Sequence, residues 1–137
     1  MRLLMSDIEI VSTNDAPQPL GHYSQAVKGG GLIHISGQLP IKIGTPAVNE
    51  VAPFAEQVGQ VLQNFLAILG AAGATPSDVL KVTAYIVGVD QWGVFNAAFA
   101  KAFGDSRPAR SVVPVPELHH GFLIELDAVA VDPSIRK

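Results

Sequence analysis

The stretch PFAEQVGQVLQNFLAILGAAGATPSDVLKVTAYIVG, residues 53–88, changes its hydrophobic period partway along. Over 53–72, Phe54, Val58, Val61, Leu62, Phe65 and Leu69 recur at spacings of three and four, with Glu56, Gln57, Gln60, Gln63 and Asn64 between them. That spacing predicts a long amphipathic helix, with these polar residues as its other stripe. Pro53 suits its first turn, and Gly73 suits the left-handed position beyond its end. Thr75, Pro76, Ser77 and Asp78 then read as a capped helical turn, and the β-branched run over 79–88 as a strand.

Upstream, residues 7–11 alternate as a short strand, and 14–21 (NDAPQPLG) are turn-rich. Residues 23–38 (YSQAVKGGGLIHISGQ) read as two strands around Gly29, Gly30 and Gly31, where positive φ angles suit a hairpin. A phosphate-cradling loop is the sharper alternative, but no helix follows those glycines to supply aligned N–H groups. Downstream, a second helix over 91–103 buries Phe95, Ala98, Phe99 and Phe103, and the strands RSVVPV and FLIELDAVAV follow. The order β, β, β, α, β, α, β, β predicts an α+β domain over 1–137, a mixed six-stranded sheet with both helices on one face. The other face is left bare. The predicted strand at 81–88 is strongly polar on neither side, so the bare face predicts a homo-oligomer.

Composition narrows the function. A chain of 137 residues that is 48% hydrophobic can bury roughly two thirds of its unfolded surface in one core. Nine basic against twelve acidic residues give a net charge of −3, which argues against nucleic acid as a partner. The apolar runs are too short to cross a membrane, and the N-terminal MRLLMSDIEI turns acidic too soon for a signal peptide, so a cytoplasmic protein is expected. Without cysteine there is no disulfide, thiolate metal site or thiol nucleophile.

Within FLIELDAVAV, Leu123, Glu125, Asp127, Val129 and Val131 point one way, so two carboxylates interrupt an apolar face. A partly buried Glu125 needs a cationic partner or a function. Arg110, at the mouth of the proline-bounded run RPARSVVPVP, is the obvious candidate, on a strand that could pair with this one. A structural ion pair between Arg110 and Glu125 and a catalytic site are both open at this point, and structural pairs are the commoner kind.

The segments GHYSQAV, ISGQLP, LGAAGATPSDVLKVTAYI, FNAAFAKAFG, RPARSVVPVPEL and LIELDAVA stand in the order and spacing of the Rid (YjgF) family, and the chain resembles that family over about residues 13–131. The family, the reactive intermediate deaminases, also carries the descriptions endoribonuclease L-PSP and translation initiation inhibitor. PARS, followed fifteen residues after its arginine by the glutamate of IEL, is the most specific part. The resemblance implies a chorismate-mutase-like fold, a homotrimer whose sheets face a central barrel, and clefts between subunits. It further implies hydrolysis of small imines and enamines (2-aminoacrylate with 2-iminopropanoate, and 2-iminobutanoate) to 2-keto acids and ammonia, with no cofactor and no metal.

In that frame Arg110 binds the substrate carboxylate, which a guanidinium fork matches bidentately. Glu125 positions or activates the attacking water. Tyr23 is the aromatic lip, Ser36 and Gly37 lie on the cleft floor, and Asn96 is the helix asparagine associated with the site, with a plain helix-surface hydrogen bond as its alternative. Val112 stands where the family often has cysteine; the site uses backbone from this position, so activity is expected to survive. His22 stands where proline is common and could alter substrate choice. His119 and His120 read as exposed turn residues, with no carboxylate or thiol spacing that would make them metal ligands. Two alternatives remain: a family member acting on another enamine, such as 2-aminomuconate, and a module that binds 2-keto acids without turnover.

Overall fold

The structure, a computed structural model, describes residues 7–46 and 52–135. The reading of the N-terminus falls, over residues 1–6, outside that range. Six strands form one sheet in the order β1 (Glu9–Val11), β2 (Ala26–Gly29), β3 (Leu32–Gln38), β6 (Ile124–Val131), β4 (Val79–Val87) and β5 (Ala109–Val115). The pairs are antiparallel except β4 with β5, which run parallel on either side of a helical crossover. The helices are α1 (Phe54–Ala71) and α2 (Trp92–Phe103). The sequence therefore predicts these six strands and the helices α1 and α2 of the mixed α+β fold.

Alternation along the strands sets the core. Ile33 and Ile35 of β3, Ile124, Leu126, Ala128 and Ala130 of β6, and Val82, Ala84 and Ile86 of β4 are buried beneath the helices. From above come Val58, Val61, Phe65, Ile68 and Leu69 of α1 and Phe95, Phe99 and Phe103 of α2. Phe99 stacks on Phe103 at 4.2 Å between ring centroids, and Phe103 on Phe65 at 6.0 Å. Each fully buried side chain of this size stabilises the fold by about 1.5–3 kcal/mol. The TPSD turn is capped as predicted, and the cap is a capping box in which Asp78 Oδ2 accepts from Thr75 N at 2.8 Å.

Two expectations need correction. Gln57 and Asn64 are buried rather than part of an outer polar stripe. Asn64 donates to Leu39 O and Ile41 O, both at 2.9 Å, while Gln57 Oε1 accepts from Leu123 N at 2.9 Å. Both fasten α1 to loops that would otherwise bury unpaired backbone groups. The second correction concerns β5, which pairs with β4 and not with β6, so the strands of Arg110 and Glu125 are separated by β4.

Lys81, Thr83, Tyr85 and Val87 of β4 share a face with Glu125, Asp127, Val129 and Val131 of β6, and all of them keep some exposure. Among the described residues no helix covers this face, as the sequence predicts.

Candidate functional site

The sequence-predicted site residues fall into two groups on opposite faces of the sheet. Register decides this: Arg110 is opposite Val82, which is opposite Ala128, all on the helix side, whereas Glu125 is opposite Tyr85 on the bare side. An ion pair within the chain between Arg110 and Glu125 is therefore excluded.

On the helix side, the half-buried Arg110 reaches toward α2. Its Nη1 donates to Asn96 Oδ1 at 3.0 Å. Its guanidinium carbon lies 4.8 Å from the Phe99 ring centroid, 5.4 Å from Phe95 and 5.9 Å from Trp92. Those residues sit at 92, 95, 96 and 99, three and four apart, so one face of α2 supplies both the aromatic shelf and the amide. The ion pairs of the described residues are Lys28 with Asp132 and Lys42 with Glu56, so no described carboxylate pairs with Arg110. Val112, two residues on, is half-buried and lines a recess of about 270 Å³ with Ile86, Gly88, Val89, Trp92 and Pro114. Trp92 was not anticipated from sequence, although its spacing from Phe95 and Phe99 places it on the same helix face.

On the other side, Tyr23, Ser36, Gly37 and Glu125 line one recess of about 720 Å³, together with Leu20, Gly21, Leu39, His119 and His120. A bulge builds its floor: between the pairs Ile35 with Ala128 and Gln38 with Leu126, Ser36 and Gly37 together oppose Asp127. The Glu125 carboxylate lies against Gly37 so closely that a Cβ there would overlap its oxygen. The resemblance implies a place for Gly37 on the cleft floor; in the structure it admits the Glu125 side chain. The Ser36 hydroxyl donates to Ser24 O at 2.6 Å, which commits its proton. The rim loop is fixed by buried Gln25, which donates to Thr13 O and Pro17 O and accepts from Thr13 N at 2.7 Å. Half-exposed Tyr23 closes that rim, its hydroxyl accepting from Leu20 N at 3.3 Å.

Burial is the main cause that raises the Glu125 pKa above the ordinary carboxylate range; nearby His119 opposes it and Asp127 adds to it. Asp127 is also raised by burial, against the opposing hydrogen bond from Tyr85 (3.3 Å) and the charge of Lys81. A carboxylate beside a water-accessible recess, with its proton affinity increased, suits proton exchange with a bound water. His119 and His120 are exposed as expected, but sequence gave no sign that they line the Glu125 recess. Among the described residues there is no cluster of metal-ligating side chains, and no helix is long and apolar enough to cross a membrane.

Residues 13–132 match the family model described as Endoribonuclease L-PSP. A RutC family protein of Pyrococcus horikoshii is 42% identical over 124 residues, covering 89% of this chain and 96% of the relative. A 2-iminobutanoate/2-iminopropanoate deaminase of Dermatophagoides farinae is 36% identical over 129 residues, covering 93% and 98%. Among solved structures, Escherichia coli TdcF with bound serine superposes with a TM-score of 0.83 at 31% identity, covering 90% of this chain and 98% of that one.

Proposed function

The chain belongs to the Endoribonuclease L-PSP family, which is the Rid (YjgF) family of the resemblance, and on that premise we propose that it hydrolyses small carboxylate-bearing imines and enamines to 2-keto acids and ammonia. The observation that carries the reading is the division of the site: an arginine that forms no ion pair among the described residues on one face of the sheet, and a glutamate of raised proton affinity in a recess on the other. Neither half is sufficient alone. Two copies complete each other when the Arg110 half of one meets the Glu125 half of the next, and a homotrimer closes such a head-to-tail contact into a ring.

In the completed site Arg110 takes the substrate carboxylate, its guanidinium held in position by Asn96 and by the rings of Phe95 and Phe99. Val112 supplies backbone beside it, and Gly37 and Ser36 form the floor under Glu125. Glu125 accepts a proton from water as the water oxygen bonds to the imine carbon, and Tyr23 covers the bound substrate. The name of the Dermatophagoides relative and the serine bound by TdcF both fit a site for small amino-acid-derived molecules.

The test is the decay of 2-iminopropanoate and 2-iminobutanoate, generated in place by an amino-acid oxidase. Wild-type protein accelerates loss of the imine and yields 2-keto acid, whereas Arg110→Ala and Glu125→Gln do not. Denaturing and refolding the two inactive variants together restores intact sites at about a quarter of the interfaces. No acceleration by the wild-type oligomer, with 2-keto acid still binding in an Arg110-dependent way, would leave a binding module instead.

A further inference from the structure

We propose that His119 is the second acid–base group of the Glu125 recess, protonating the imine nitrogen while Glu125 deprotonates the attacking water. This rests on the deaminase reading and adds a residue to it.

The first support is position. The turn His119–Gly121 between β5 and β6 brings His119 to the same recess as Glu125, Tyr23, Ser36 and Gly37. His119 and Glu125 are near enough for the charge of one to act on the other, yet they form no ion pair, so both can address a molecule lying between them. The other ionisable groups facing Glu125 are Asp127 on its own strand, Tyr85 across on β4, and His120 and Tyr23 at the rim. Of these His119 is the one that favours the charged carboxylate, and Asp127 disfavours it.

The second support is how the turn is held. His120, with φ 63° and ψ 17°, is the one non-glycine residue with positive φ among the described residues, and Gly121 follows at φ 75°. A histidine in this conformation is uncommon, and such backbone persists where its surroundings hold it. Here the His120 ring stands edge-on to buried Phe122 at 6.4 Å, Phe122 N donates to His119 O at 3.3 Å, and Leu123 N donates to Gln57 at 2.9 Å. Those contacts fix the backbone that presents His119.

The third is that other groups of the recess are already engaged. The Ser36 proton is committed to Ser24 O, the His120 ring is turned onto Phe122, and Glu125 is occupied with the water. An imidazole can give a proton and take one back near neutral pH, which protonating the imine nitrogen and then deprotonating the carbinolamine hydroxyl require.

The protons balance over two steps. First, the water oxygen bonds to the imine carbon; Glu125 takes one water proton and protonated His119 gives its proton to the nitrogen, forming a carbinolamine. Then the C–N bond breaks. Protonated Glu125 gives its proton to the nitrogen, which leaves as ammonia, and neutral His119 takes the hydroxyl proton as the C=O forms. Both residues return to their starting states.

The experiment compares wild type, His119→Ala and Glu125→Gln on 2-iminobutanoate across pH, with and without added imidazole. His119→Ala is expected to lower kcat by on the order of 100-fold with little change in KM, to lose the alkaline limb of the pH profile, and to regain rate with imidazole. A His119→Ala rate and pH profile equal to wild type, with Glu125→Gln inactive, would overturn the His119 role alone. So would a reduced rate whose pH profile parallels wild type and which imidazole does not restore. Full activity in Glu125→Gln and Arg110→Ala would overturn the deaminase reading and this role with it.

Discussion

Replacing Gly37 by alanine separates catalysis from stability at this site. Gly37 is not among the glycines of positive φ, so its backbone accepts alanine without strain. The difficulty is space, because the new Cβ would overlap the Glu125 carboxylate oxygen and stand 3.2 Å from the carboxyl carbon and 3.6 Å from Cγ. These atoms are the far end of a side chain facing a recess of about 720 Å³, so Glu125 yields by rotating outward. A shift off its preferred rotamer costs roughly 0.5–1.5 kcal/mol, which lowers Tm by about 2–8 °C for a domain of this size. The same rotation moves the carboxylate by about an ångström, and a misplacement of that size costs about 100-fold in rate. Imine decay and thermal unfolding, measured on one preparation, are expected to show a large loss of kcat/KM beside a small loss of Tm. Wild-type kcat/KM in Gly37→Ala would refute the reasoning, as would a loss of activity no larger than the loss of folded protein.

Three further outcomes are expected. Arg110→Lys keeps the charge but loses the fork, and kcat/KM should fall by roughly 10- to 100-fold, the equivalent of about 1.5–3 kcal/mol for a charge-assisted hydrogen bond; a lysine variant with wild-type kcat/KM would contradict the carboxylate role. Folding raises the Glu125 and Asp127 pKa values, so the native state binds their protons more tightly than the unfolded chain and stability falls as pH rises through the raised values. Glu125→Gln and Asp127→Asn should therefore raise Tm at pH 8 and lose that advantage as pH falls into the ordinary carboxylate range; denaturant midpoints across pH would reveal the opposite slope if the shifts ran the other way. Gln57→Leu leaves Leu123 N without its acceptor and should cost about 1–3 kcal/mol by urea unfolding, with faster amide exchange in the 119–123 turn; unchanged exchange there would show that Gln57 does not hold it.

Period and punctuation made the elements legible. The three-and-four spacing of Phe54 to Leu69 and the alternation through residues 122–131 place α1 and β6 without any knowledge of neighbours, because each pattern is set by the geometry of its own backbone. Glu125, as a carboxylate interrupting an apolar strand face, was visible on the same ground, and so was its partial burial. Arg110 drew attention through its position before an apolar run. Alternation says only which residues of one strand share a face. It carries no information about which face of another strand that matches.

The pairing of Val82 with Arg110 and of Tyr85 with Glu125 decided that, and with it the separation of the two halves. The same holds for Gln57 and Asn64, which read as outer polar residues because spacing is blind to the loop carbonyls and N–H groups that their amides meet. His119 lies furthest from local reading. The residues of its turn announce only exposure, and it comes to line the Glu125 recess because strand register, the left-handed His120 and the Gln57 bond converge there. Residue types and periodicity thus determined the elements and the chemistry available to them, while contacts between distant parts of the chain decided which of those groups face one another.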